Sequence, residues 1–178
     1  QGVSSAASDV YKRQIIDWEE KIEKICEETL NENMTVIGGI PSWVKMYFEK
    51  LIKKSNKKTL AEIFKKLSLY VFGGVNYEPY QKTFNKLIGK KINTIEFYPS
   101  SEGFFAYQND QNDKSLLLQY DSGIYYEFVK LENFENENSK RYNLSQVQIG
   151  INYVLIVSTN AGLWAYNTGD TVTFTSLY

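Results

Sequence analysis

The chain has 178 residues, 43% apolar and 23% charged, which is one domain's worth of globular sequence rather than a disordered one. A net charge of −1 offers no electrostatic case for binding nucleic acid or a membrane surface, and no run nears the roughly 18–20 apolar residues that span a bilayer. With no histidine and one cysteine, Cys26, the chain has no internal disulfide, thiolate metal cluster, His-based zinc site or Ser-His-Asp and Cys-His machinery. Its chemistry must use carboxylates, hydroxyls, lysines, backbone amides and an imported metal, and a reducing cytoplasm is the expected setting.

Residues 1–14 stand apart. The string from Val3 to Gln14 resembles a translated sequencing-adapter read-through, so 1–14 is expected to be a non-native tail and 15–178 an incomplete part of one domain. Asp17 suits a helix N-cap, and Trp18, Ile22, Ile25 and Cys26 share one face of a helix to Leu30. Thr35 to Ile37 reads as a short buried strand ended by Gly38 and Gly39. Pro41 opens a second helix with Trp43, Val44, Tyr47, Phe48, Leu51 and Ile52 on its wide apolar side. Lys53, Lys54, Lys57 and Lys58 read as its solvated C-terminal end.

Thr59 and Glu62 match a capping box for a helix to about Leu67. Leu69 to Phe72 is continuously apolar, as a strand buried on both faces would be, and Gly73 and Gly74 stop it. A helix from Pro79 to Ile88 and a strand from Asn93 to Tyr98 complete a βαβ unit. Its right-handed crossover would set Gly73-Gly74 beside Pro99 to Gly103 at the edge where α/β sheets bind ligands. Beyond Glu102 the chain turns β-rich: strands at 104–107, 116–120, 124–129, 153–158, 163–166 and 171–175, with a surface loop at 131–141. The expected fold is α/β, a mixed sheet with a βαβ layer followed by a β-rich portion.

Two turns share one grammar: Tyr98-Pro99-Ser100-Ser101-Glu102-Gly103 and Tyr166-Asn167-Thr168-Gly169-Asp170. Each places an aromatic, a tight turn and an acid at the end of an apolar strand. Together they could hold a nucleotide. Tyr98 offers a ring face to a base, and the Ser100 and Ser101 hydroxyls can donate to phosphate oxygens. Glu102 is a hard oxygen ligand suited to Mg²⁺, and Asp170 can accept from ribose hydroxyls. Nothing in the set transfers protons, so it suits phosphate chemistry driven by position and charge. Each stretch alone is equally an ordinary turn, with Glu102 a solvated edge residue.

Tyr98 to Glu102 resembles the Tyr-Gly/Ala-x-Ser/Thr-Glu motif of adenylate-forming enzymes, and Tyr166 to Asp170 their Tyr-Arg/Lys-x-Gly-Asp motif, in the same order. Gly39 to Trp43, Tyr125 to Phe128 and Ser158 to Leu163 resemble, more narrowly, the auxin-responsive-promoter family of acyl-acid amido synthetases. The resemblance implies an adenylate-forming large domain that uses ATP and Mg²⁺ to activate a carboxylic acid and passes the acyl group to an amine. It implies Gly73 and Gly74 at the adenine edge, Tyr98 at the adenine, Ser100 and Ser101 by the α-phosphate or acyl group, Glu102 at Mg²⁺ and Asp170 at the ribose. Pro99 stands where Gly or Ala is usual, and Asn167 replaces an Arg or Lys. The family's phosphate loop and its lysine-bearing C-terminal domain have no counterpart in the chain. A thioester-forming acyl-CoA ligase and a non-catalytic α/β binding module are the competing readings.

Overall fold

In the computed structural model, which describes residues 15–136 and 138–177, the chain divides within a strand into two units, one up to Glu96 and one from Phe97. The tail read at 1–14 lies outside the described residues. None of the helices among them is long and apolar enough to cross a membrane.

The first unit is helix-rich. Helix α1 (Trp18–Thr29) starts as its sequence dictates: the Asp17 carboxylate accepts from the Glu20 N–H at 2.8 Å, satisfying one of the amides a helix leaves unpaired. It buries Ile22 and Cys26 against helix α2 (Pro41–Ser55), which buries Val44, Tyr47, Phe48 and Leu51. Trp43, expected on that inner face, is 55% exposed and instead packs its ring on Trp18 at 4.9 Å. The wide stripe is therefore narrower than the pattern suggested. Lys53, Lys54, Lys57 and Lys58 are exposed at the end of α2, as expected. Lys50 bonds Glu19 and Glu23, and Lys54 bonds Glu23 and Glu27. Acids one helical turn apart thus face lysines one turn apart.

Helix α3 (Leu60–Ile63) stops well short of Leu67. Its expected capping box is not formed, because the Thr59 hydroxyl is turned to the Glu62 carboxylate at 3.3 Å rather than to the backbone. Strand β1 (Val36–Gly38) is an exposed edge, not a buried strand, and pairs in parallel with β2 (Leu69–Gly73). In β2 only Tyr70 and Phe72 are buried, so its second face is half-covered despite the continuous apolar run. The apolar run alone could not reveal how much covers each face.

Helix α4 (Glu78–Ile88) follows the glycines, and strand β3 (Asn93–Pro99) takes its place beside β2 in the order β1-β2-β3. The strand–helix–strand unit is as expected. Its core is aromatic. Tyr70 stacks on Phe84 at 5.0 Å, Phe84 meets Phe48 at 5.5 Å, and the Tyr70 hydroxyl donates to the Gly39 carbonyl at 2.9 Å.

The second unit is β-rich, again as expected. The end of β3 pairs antiparallel with β4 (Phe104–Tyr107), and β4 with the two-residue β5 (Leu117–Leu118). A separate antiparallel sheet has the order β7-β6-β8-β9, built from β6 (Ile124–Lys130), β7 (Arg141–Tyr142), β8 (Asn152–Thr159) and β9 (Tyr166–Thr173). Phe105, Tyr126, Phe128, Val147, Tyr153, Leu155 and Val157 form its core.

Phe48 is fully buried among aromatic neighbours, so Phe48→Ala should lower unfolding free energy by about 3–5 kcal/mol in urea denaturation. Trp43→Ala, at a half-exposed position, should cost about 1 kcal/mol or less in the same measurement.

Candidate nucleotide site

The first turn is a hairpin end. Ser100 and Gly103 exchange backbone hydrogen bonds, the Ser100 N–H to the Gly103 carbonyl at 2.8 Å and the reverse at 3.3 Å. This closes β3 onto β4 and leaves Ser101 and Glu102 at the tip. The Ser100 hydroxyl accepts from the Glu102 N–H at 3.1 Å. Gly103 is tightly placed, since a Cβ there would lie 2.6 Å from Ile124 Cδ1. The Glu102 carboxyl is held below the ordinary carboxylate range, first by the Ser100 hydroxyl, then by its own backbone N–H, with burial opposing and the Tyr166 hydroxyl adding a further hydrogen bond.

The second stretch is not a turn between two strands. Strand β9 runs continuously from Tyr166, and the residues read as a turn bulge out of its ladder. Asn167 pairs with Ile156 and Thr171 with Val154, so Thr168, Gly169 and Asp170 stand opposite Leu155. Local bonds shape the bulge. The Asn167 side chain accepts from the Gly169 N–H at 3.0 Å, and the Thr168 hydroxyl accepts from the Asp170 N–H at 3.2 Å. Gly169 adopts φ +81°, where a side chain is disfavoured. The strand expected at 163–166 is absent before Tyr166, because Ala165 at φ +47° breaks the extended run.

The two stretches meet. The Tyr98 hydroxyl donates to Asp170 Oδ2 at 2.5 Å. Burial first, and the Asp170 carboxylate second, push the Tyr98 hydroxyl well above the usual phenol range, so it stays a donor. Its ring packs edge-on to the buried Phe105 at 5.1 Å. Of the residues singled out by sequence, the second unit thus joins Tyr98 with Asp170 and Ser100 with Glu102. Ser101 lies exposed at the turn tip, while Gly73 and Gly74 belong to the first unit, where Gly74 takes φ +79° with open space around it.

Sequence reasoning gave Tyr166 no role, yet its hydroxyl helps hold the Glu102 carboxyl below the ordinary carboxylate range. The signal was present in the spacing, since Tyr98 and Glu102, like Tyr166 and Asp170, are four residues apart. An open groove of about 460 Å³ at Tyr120, Tyr125, Asn160 and Trp164 was also missed, as was an adjoining one of about 200 Å³. Neither is lined by Tyr98, Glu102 or Asp170. Among the described residues no group of three or more acidic, Cys or His side chains could hold a metal ion by itself.

Gly169→Ala places a Cβ in open space, so its cost is that of the backbone alone, about 1 kcal/mol. Thermal unfolding should show this loss, and Gly169→Asn should lose less.

Residues 117–178 match a family model described as the GH3 family central domain. The chain is 26% identical over 171 residues to the jasmonoyl–L-amino acid synthetase JAR4 of Nicotiana attenuata, covering 87% of this chain and 30% of that protein. It is 31% identical over 84 residues to the indole-3-acetic acid-amido synthetase GH3.3 of Arabidopsis thaliana, covering 46% and 14%. The chain therefore spans less than a third of the curated relatives it matches. Among solved structures, the GH3.15 acyl acid amido synthetase superposes with a TM-score of 0.65 at 17% identity, covering 94% of this chain and 39% of that one. A 2-hydroxyisobutyryl-CoA ligase superposes with a TM-score of 0.61 at 13% identity, covering 87% and 34%. The family the sequence resembles is the one these comparisons find: residues 117–178 match the GH3 central domain, and the chain shares the fold of a GH3.15 acyl acid amido synthetase.

Proposed function

We propose that the protein carrying this chain uses ATP to adenylate a carboxylic acid and then transfers the acyl group to an amine such as an amino acid. One observation carries the site assignment: the hydrogen bond from Tyr98 to Asp170, which draws the two motif stretches together in one unit. The family match over residues 117–178 and the two amido synthetase relatives support an amide product.

In this reading Asp170 accepts from the ribose, the Tyr98 ring lies at the adenine, and Ser100 and Ser101 stand by the α-phosphate or acyl group. The role given to Gly73 and Gly74 at the adenine edge rests on the resemblance alone. Glu102 faces Mg²⁺. A single ionised carboxylate fits that ion, because Mg²⁺ prefers hard oxygens and completes its shell with waters and substrate phosphates rather than a protein cage. Bound there, the ion would neutralise phosphate charge. The side chains themselves supply position and charge, not proton transfer. A cytoplasmic setting accords with a single cysteine that is buried and free.

A thioester product is the second reading, favoured by the likeness in fold to a CoA ligase. Product analysis with amino acids against coenzyme A separates the two.

In the full-length protein, Glu102→Ala and Asp170→Ala should each reduce ATP–pyrophosphate exchange by about a hundredfold or more, as expected when a charge-positioning group at a phosphoryl site is removed. The 178-residue chain alone should show no exchange. Full retention of exchange in both variants would point instead to a non-catalytic module.

A further inference from the structure

Each motif contains a tyrosine four residues before an acid, and the structure joins the tyrosine of the first to the acid of the second. The hydroxyl of Tyr98, in the first stretch, donates to the acid of the second, Asp170 Oδ2, at 2.5 Å. We propose that Tyr98 is a positioning residue, holding the Asp170 carboxylate of the opposite stretch in the orientation that receives the nucleotide. The inference rests on the nucleotide reading above and deepens it.

Three features support it. The Tyr98 ring is not free to swing, because it packs edge-on to Phe105, which is itself fully buried and 6.1 Å from Tyr126. Asp170, by contrast, is exposed, with no cation bonded to it among the described residues. An unheld carboxylate there would sample several rotamers and lose that freedom on binding. Finally, Tyr98 engages only Oδ2 of Asp170. An ionised carboxylate has about four acceptor sites, so Oδ1 remains fully open and Oδ2 retains a second lone pair. The hydroxyl thus orients the group without consuming its capacity.

The test compares wild type, Y98F, D170N and the double variant in the full-length protein. Phenylalanine keeps the ring, so stacking and packing survive while the hydrogen bond is lost. Y98F should weaken ATP binding by about tenfold, the amount expected for a hydrogen bond to a charged acceptor, with kcat changed far less than KM. The double variant should bind no worse than D170N alone, since both changes remove one interaction. Independently of nucleotide, NMR side-chain couplings of Asp170 should report one χ1 rotamer in wild type and averaging in Y98F. Additive losses in the cycle, or an Asp170 rotamer unchanged in Y98F, would overturn the proposal. A wild-type protein that binds no ATP would overturn the nucleotide reading instead, and the rotamer measurement would still decide the positioning role.

Discussion

Strand β8 buries five consecutive side chains, Tyr153 to Val157. With both faces in apolar surroundings, its amides and carbonyls must be paired along both edges, because an unpaired backbone group away from water costs as much as a lost hydrogen bond. Strand β6 meets the need on one side with an unbroken ladder from Ile124–Thr159 to Lys130–Tyr153. Strand β9 meets it on the other only up to the bulge, where the ladder skips Leu155. There the Thr168 hydroxyl donates to the Leu155 carbonyl at 3.2 Å, supplying the bond the backbone no longer makes. The bulge is tolerated because its own threonine satisfies the strand it departs from. That departure is what carries Asp170 out of the ladder and up to Tyr98.

The same core fixes the other stretch. Phe105 lies with Tyr153, Leu155 and Val157 in one buried cluster, and Tyr98 packs against that cluster from β3. The hairpin turn is held by reciprocal backbone bonds between Ser100 and Gly103. Both acids therefore stand on short excursions from a single apolar body. Such placement suits a site that works by geometry, where small displacements of a group are costly.

Much of this was legible because the residues concerned obey local rules. Asp17 caps a helix, Pro41 and Pro79 sit near helix starts, and Tyr98 to Gly103 ends a strand. What was not legible depends on neighbours the pattern cannot name. Thr59 and Glu62 have the spacing of a capping box, but their side chains bond each other. Leu69 to Phe72 is apolar throughout, yet burial alternates because only one face meets the aromatic core. Thr168-Gly169-Asp170 has the composition of a turn, and the flanking pairs with β8 convert it into a bulge. Lys50 was overlooked for the same reason, since its partners Glu19 and Glu23 come from another helix. The bond from Tyr98 to Asp170 is the clearest case: the spacing was visible, but which acid the tyrosine serves is a fact of tertiary structure.

The choice of hydroxyls as holders has a consequence for charge. Fixing Glu102 and Asp170 with lysine or arginine would neutralise each carboxylate and weaken its pull on a metal ion or on a sugar hydroxyl. Asn167, standing where a cation is usual, keeps the bulge through its bond to the Gly169 N–H and adds no charge. A phenol gives orientation and leaves the full negative charge to act on whatever arrives. It also stays protonated, because burial raises Tyr98 above its ordinary range, so its direction of donation does not reverse across neutral pH. Two acids held this way repel a bare polyphosphate. In the proposed nucleotide site this arrangement would be favourable only when phosphate charge is offset by a cation, so the carboxylates would select for the metal-bound form of the nucleotide over the free one.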